Sequence, residues 1–365
     1  MRSKMILLLF ASLLTAYPQD ALKTTLYGTL KEYFVFGKGN PATPYPANIA
    51  SPKDTGISFC SYPGTTTLGL SLEKGALEGN IEADFEGDNC SPLLLKAYIS
   101  IPVSNNTKLV IGRADPVGEL NSFSDNYVKM PGFNPAQAWG VDQFRLEMEG
   151  RLGKNSFNQA VALGDLMPFL YGDNEPISIK AEFPALSYKF SLAFPSSLKI
   201  YSFYEFQKVS LSSDNIQRGA RPYVFGLGFQ FPLKKLQIQG EVLRGKGTTF
   251  YSGAVAPDGS VAIPSGYRDV NTPRKFHAGN LEAFLPINQK ASLYTGYAEV
   301  EFSGNICANE VTKARGCFLG MSYDLDTSTT LKLELDRFGT RFLDENDMPS
   351  SAKAQQLVLS VEYNF

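Results

Sequence analysis

Charged residues recur in this chain two positions apart, and that spacing decides what they can do. Glu78, Glu82 and Asp84 share a parity with Asn80; Arg145, Glu147, Glu149 and Arg151 follow Gln143; Lys332, Glu334 and Asp336 form a third run. Side chains of a β-strand alternate between its two faces, so each run lies on one face. The opposite faces carry Leu77, Ile81, Ala83 and Phe85, then Phe144, Leu146 and Met148, then Leu331, Leu333 and Leu335. Lys96, Lys189, Lys199 and Glu362 take the polar parity of their own segments. No soluble core tolerates an inner face this acidic. Fixed charges in such rows hold counter-ions and bias which charged solutes collect beside them.

The residues that catalysis needs are sparse. His277 is the single histidine, and a lone histidine is more often structural or solvated than half of a Ser-His pair. Gly245-Lys246-Gly247 lacks the spacing and following helix of a phosphate-binding loop. Asn105-Asn106-Thr107 matches a glycosylation triplet by chance, inside an expected tight turn. The four cysteines contain no CxxC, which excludes the usual zinc patterns. The sequence therefore implies no enzyme, no metal and no cofactor.

Composition points to strands: 26 Phe and 18 Tyr against one Trp, with 32 Gly and 22 Pro, favour sheet and tight turns over helix. A hydrophobic share of 43% and a mean hydropathy of -0.13 suit a soluble protein or a membrane barrel, because alternating positions cancel in any window. Arg2 and Lys4, the apolar run Met5 to Leu14 and Thr15-Ala16 form a secretory signal over residues 1–16. That run falls short of the roughly 20 residues a spanning helix needs, and no later run is longer. Without Arg2 and Lys4 the 34 basic residues become 32 against 36 acidic ones, a net of -4, too nearly neutral to suggest nucleic acid.

Elements to position the charged rows come from a repeated rhythm: a strand of about ten residues, a long connection, a second strand, then a tight turn. Long connections fall at about 38–64, 87–92, 114–140, 165–184, 209–220, 247–274, 304–315 and 341–353. Tight turns fall at Lys74-Gly75-Ala76, Pro102 to Asn106, Gly153 to Asn155, Pro195-Ser196, Pro232 to Lys234, Pro286 to Asn288 and Asp326-Thr327. Residues 17–365 are thus a single unit of 16 strands with both termini at the tight-turn end. Ile177 to Phe183 also alternates, but a seventeenth strand would break that parity, so it belongs to the fourth long connection. Around Phe276 to Phe284, Lys275 and His277 conflict in parity with Glu282, and a bulge is expected there. Tyr223, Phe225, Leu227, Phe229 and Phe231 make an aromatic stripe suited to lipid or a neighbouring subunit.

The last strand, Ala354 to Phe365, places Leu357, Leu359, Val361, Tyr363 and Phe365 on one face and Gln356, Val358, Ser360, Glu362 and Asn364 on the other. This pattern, with its terminal Phe, resembles the closing strand of bacterial outer-membrane barrels, and Leu26-Tyr27-Gly28 resembles the opening strand of general porins. The resemblance implies an all-β transmembrane antiparallel barrel of 16 strands in the outer membrane. It further implies a third outer loop, 114–140, folded into the lumen, with Arg113, Asp115, Glu119, Asp125 and Lys129 as constriction candidates. Tyr363 and Phe365 become the signal read by the barrel assembly machinery, and a homotrimer surrounded by outer-membrane lipid is the implied assembly.

In hydrocarbon every backbone polar group must be paired, so the strands must close. Sixteen strands leave an aqueous lumen, and the expected function is passive diffusion of small hydrophilic solutes and ions. Inward acids (Glu73, Glu78, Glu82, Asp84, Glu86, Glu147, Glu149, Glu299, Glu301, Glu334, Asp336 and Glu362) outnumber inward bases (Lys96, Lys108, Arg145, Arg151, Lys189, Lys199 and Lys332) by twelve to seven, which predicts mild cation preference. The alternative is a surface adhesin or receptor barrel using the loops at 38–64 and 247–274. Four cysteines in an exported chain allow three pairings, of which Cys60 with Cys90 and Cys307 with Cys317 suit the connections that carry them.

Overall fold

A computed structural model describes residues 21–38, 57–63, 66–85, 93–117, 141–164, 178–213, 216–248, 267, 271–304 and 306–365. The signal segment lies outside them, as do most of the long connections at 38–64 and 247–274. The described strands are β1 (Lys23–Lys38), β2 (Ile57–Pro63), β3 (Thr67–Lys74), β4 (Leu77–Asp84), β5 (Leu93–Ser104), β6 (Thr107–Ala114), β7 (Val141–Leu152), β8 (Asn155–Gly164), β9 (Ser178–Ala181) and β10 (Ala185–Ala193). They continue as β11 (Lys199–Phe206), β12 (Val209–Ser213), β13 (Ile216–Ala220), β14 (Tyr223–Leu233), β15 (Leu236–Lys246), β16 (Lys275–Pro286), β17 (Ala291–Ser303), β18 (Val311–Asp324), β19 (Thr329–Leu343) and β20 (Pro349–Asn364).

Each barrel strand pairs antiparallel with its sequence neighbour. β2 and β3 are two halves of one barrel strand: β2 pairs with Glu32–Lys38 and β3 with Lys23–Thr29, both on β1. Counted so, the barrel has 16 strands, and it closes where β1 pairs with β20 from Thr29 opposite Asn364 to Lys38 opposite Gln355. Gly28 and Phe365 lock the seam by reciprocal backbone bonds of 3.1 Å each. Closure leaves the membrane strands no unpaired edge, as hydrocarbon requires.

All seven expected tight turns lie between paired strands. Gly75 (φ 60°) and Gly153 (φ 64°) take the left-handed backbone that such turns demand and that glycine adopts without steric cost. The loop end is more ordered than the sequence suggests. The connection expected at 341–353 shrinks to five residues between Leu343 and Pro349, where the Asp344 carboxylate accepts from the Asn346 and Met348 N–H groups at 2.9 and 3.0 Å. The stretch expected as loop at 209–220 is the β12–β13 hairpin, which adds β9 in a three-stranded sheet outside the barrel. Val209 and Leu211 are fully buried there against Ala185 and Tyr267. β9 thus sits outside the barrel wall, as parity required.

Two expectations change. No bulge separates β15, β16 and β17, whose register runs unbroken from Lys246 opposite Lys275 to Gln237 opposite Phe284, and from Lys275 opposite Ser303 to Pro286 opposite Ser292. Lys275 and His277 face outward, and Glu282 faces the lumen. The Cys307–Cys317 disulfide is absent: Cys317 lies exposed on the outer face of β18 opposite Arg337, while Cys307 sits at the loop end, beside Leu343 through its hydrogen-bonded neighbours Asn309 and Glu310. Leu343 and Arg337 are six residues apart on an extended strand, about 20 Å. A disulfide needs Cα atoms within about 7 Å. The Cys60–Cys90 pairing lies outside the described residues.

Aromatic rings on the lumen face lie flat over glycines directly opposite on the next strand. The pairs are Tyr27–Gly69, Tyr201–Gly228, Phe203–Gly226, Phe276–Gly245, Phe318–Gly296 and Tyr294–Gly320. A ring so placed covers exposed backbone while keeping its bulk against the wall.

Candidate channel lining

Along β3 to β8 and β10 the lumen face carries the charges read from the sequence. Lys96 stands opposite Glu82 and reaches both it (3.6 Å) and Asp115 (3.5 Å). Tyr27 donates its hydroxyl to Glu82 at 2.8 Å. Lys108 stands opposite Glu147 at 3.0 Å, and Arg145 Nε meets the same carboxylate at 2.7 Å. Direct opposition places ionic partners on one face at close range, and each charged row is therefore laced to the next.

The third loop begins against this wall. Arg145 Nη1 donates to the Asp115 carbonyl at 2.6 Å, and Gln143 Nε2 donates to the Ala114 and Asp115 carbonyls at 3.0 and 2.9 Å. Val117 is buried against Ala160 and Ala162 on the lumen face of β8. Of the constriction candidates, Asp115 lies beside the lumen wall, next to Lys96, Gln143 and Arg145. Arg113 does not: it takes the outward parity of Leu109 and Ile111, opposite Asp142 at 4.0 Å. Glu119, Asp125 and Lys129, and the course of the loop beyond Val117, lie outside the described residues.

Beside this wall is a cavity of about 770 Å³ bounded by Asp115, Arg145, Glu147, Glu149, Arg151, Lys189 and Lys199. Lys189 lies 5.4 Å from the centre of the Tyr201 ring, a favourable cation–π distance. Sequence reading brought six of these seven together as lumen residues and Asp115 as a loop residue.

The facing strands are different in kind. Glu205, Glu241, Glu282, Glu334 and Asp336 all take lumen parity, yet each is 2% exposed or less. Several are held by neutral partners: Tyr201 donates to Glu241 at 2.5 Å, Gln239 to Glu282 at 2.7 Å and Gln356 to Asp336 at 2.8 Å. Buried carboxylates require such bonds, since burial without them is costly. At the seam, Glu362 joins Lys31 at 3.3 Å and Lys332 at 3.1 Å. Lys31, Glu205, Glu241 and Glu282 were missed in the sequence. Alternation of Gln239, Glu241 and Leu243 against Ile238, Val242 and Arg244 is the one signal that could have exposed Glu241. β11 carries aromatics on both parities and gives none for Glu205.

The twelve-to-seven tally does not carry over to the water. Glu299 and Glu301 face outward, where Lys313 holds them at 2.6 and 3.8 Å. Glu334 and Asp336 are sealed from solvent. Glu86 lies outside the described residues. Asp84 is buried as well, so six acids then face seven bases, many of them paired.

The outer face is apolar over its middle, with Leu227, Leu281, Leu319, Leu335, Leu357 and Leu359 all exposed. A closed 16-strand antiparallel barrel with a charged lumen wall and an apolar outer face is the fold of bacterial outer-membrane porins, and that fold places the chain in the outer membrane. No protein-family model and no curated protein matches the sequence. Among solved structures the chain is similar to the outer membrane channel DcaP of Acinetobacter baumannii, with TM-score 0.71 and 17% identity, covering 94% of this chain and 98% of that one. An anion-selective porin from Comamonas acidovorans follows with TM-score 0.64 and 13% identity, covering 94% and 100%. OmpT of Vibrio cholerae, in its in-vitro folded trimer form, matches with TM-score 0.58 and 12% identity over 95% and 100%.

Proposed function

We propose that the protein is a diffusion channel for small hydrophilic solutes and ions. The observation that carries this reading is the cavity of about 770 Å³ inside a closed barrel, walled by Arg145, Glu147, Glu149, Arg151, Lys189 and Lys199. Charges in water beside low-dielectric walls attract counter-ions without binding them tightly, which suits passage rather than capture. Similarity in fold to a channel and to a porin supports the same reading. Proteoliposomes placed in isotonic uncharged solutes of rising size test it. Swelling rates that fall smoothly with solute size are expected; no swelling from a correctly folded barrel would overturn the proposal.

Selectivity is weak in this reading. The water-facing wall is balanced, and around the cavity four basic residues meet Asp115, Glu147 and Glu149, so a slight anion bias replaces the cation preference of the sequence tally. The outward stripe with Phe225 and Leu227 exposed would bury itself in a homotrimer, and the fold is shared with a protein solved as a trimer. Chemical cross-linking in mild detergent should trap a three-chain band, and a ladder ending at one chain would remove the trimer. Export by cleavage after Ala16 and recognition of Tyr363 and Phe365 by assembly machinery complete the proposal. Deleting Phe365 should lower the amount of barrel inserted in cells while leaving the conductance of protein refolded in detergent intact.

A further inference from the structure

Seven ionic groups bound the lumen cavity, and four of them are already engaged. Asp115 meets Lys96 at 3.5 Å, Arg145 meets Glu147 at 2.7 Å, and Lys189 lies over the Tyr201 ring. The three left are Glu149, Arg151 and Lys199. Among the described residues no ion pair holds them, and Glu149 accepts one long bond, from Asn158 Nδ2 at 3.4 Å. All three belong to the tight-turn half of the cavity, where Arg151 adjoins the β7–β8 turn and Lys199 opens β11.

Strand register arranges them in two rows across the lumen face of β7, β8, β10 and β11. One row runs Glu149, Asn158, Ser191; the next, toward the tight turns, runs Arg151, Ser156, Ala193, Lys199. Arg151 and Lys199 stand three strand spacings apart, about 14 Å, with only small side chains between them. Both are long enough to reach one anion seated over Ser156 and Ala193, and an arginine fork takes a carboxylate through two bonds. Rows two residues apart on a strand are separated by about 7 Å. The trough is therefore spaced for a solute whose cationic and anionic ends lie about that far apart. An extended dipeptide meets the measure because it repeats the strand: two residues span about 7 Å, with an ammonium at one end and a carboxylate at the other. A single α-amino acid carries both charges on one carbon and falls short. Ser156 and Asn158 supply donors and acceptors for the peptide group between.

Resting on the channel reading, we propose that this trough binds zwitterionic dipeptides in passage, the ammonium at Glu149 and the carboxylate between Arg151 and Lys199. The test uses the full-length barrel in a planar bilayer and records interruptions of single-channel current. Three probes are compared: L-alanyl-L-alanine, its N-acetyl form, which lacks the ammonium, and its C-terminal amide, which lacks the carboxylate. The zwitterion should interrupt the current at a concentration about fivefold below either blocked form, the size of one partly exposed charge pair. Glu149→Gln should erase the advantage over the N-acetyl form, and Arg151→Gln/Lys199→Gln the advantage over the amide. Lys234→Gln/Lys235→Gln, in the β14–β15 turn at the same end of the barrel, should preserve both. Equal interruption by all three probes, an advantage that survives Glu149→Gln, or an equal loss in the turn variant would overturn the proposal. Open-channel steps without peptide separate the two readings: steps that no probe interrupts remove the dipeptide site alone, and their absence from a folded barrel removes the channel with it. Should the Arg151→Gln/Lys199→Gln barrel fail to fold, Arg151→Gln reads the same preference with one cation removed.

Discussion

Glu362 concentrates the electrostatics of the seam, because one carboxylate answers Lys31, 7% exposed, and Lys332. Glu362→Gln should cost about 2 kcal/mol in urea unfolding of the refolded barrel, since the ammonium groups keep their burial and lose a shared partner. An unchanged midpoint would mean that water at the lumen already screens them. Asp326 makes a different case, in a tight turn outside the membrane. N–H groups of Ser328 and Thr329 donate to its carboxylate at 2.7 and 2.8 Å, and these bonds hold its pKa below the usual carboxylate value. A depressed folded pKa gives stability that is present at neutral pH and lost as pH falls through the folded value. Asp326→Ala should therefore lower stability at pH 7 and match the parent in strong acid; a deficit constant across that range would contradict the role assigned to the ionised form. Single residues were also where the sequence misled. Glu299 and Glu301 alternate like lumen residues, but Val300 between them and Phe302 just beyond are the inward ones.

That inversion has a cause at the level of the strand. Apolar-out, polar-in alternation holds only within the hydrocarbon layer. Toward the loop end of β17 to β20 the outer face becomes charged, while the inner face carries Val300, Phe302, Phe338 and Phe342, all buried. Sequence alternation reveals two faces but not which one faces the lumen, so the last strands read correctly near Leu357 and wrongly near Glu299. Tight turns were legible throughout because Gly, Pro, Asn and Asp mark them locally. The hairpin of β12 and β13 was not, since its stability comes from Leu211 packing on residues of other segments. The ring-on-glycine pairing is testable as a unit. A Cβ at Gly226 would lie 2.1 Å from the Phe203 ring. Gly226→Val alone should cost about 2–3 kcal/mol by overpacking, and Phe203→Ala in the same chain should recover much of it. Strictly additive losses would remove the pairing as a source of stability.

For the whole molecule, closure at Gly28 and Phe365 turns sixteen marginal strands into one wall, and the count follows from the rhythm of long and short connections. What the rhythm could not supply is which charges the water meets. Glu334 and Asp336 were legible as lumen residues, but their burial depends on neighbours far away in sequence. In the proposed channel, selectivity rests on that difference. A planar bilayer holding the purified protein under a salt gradient measures it directly. Stepwise conductance with a reversal potential close to zero, or slightly toward anions, is the predicted result. A strong cation bias would contradict the balanced wall, and silence from a correctly folded barrel would contradict the channel itself.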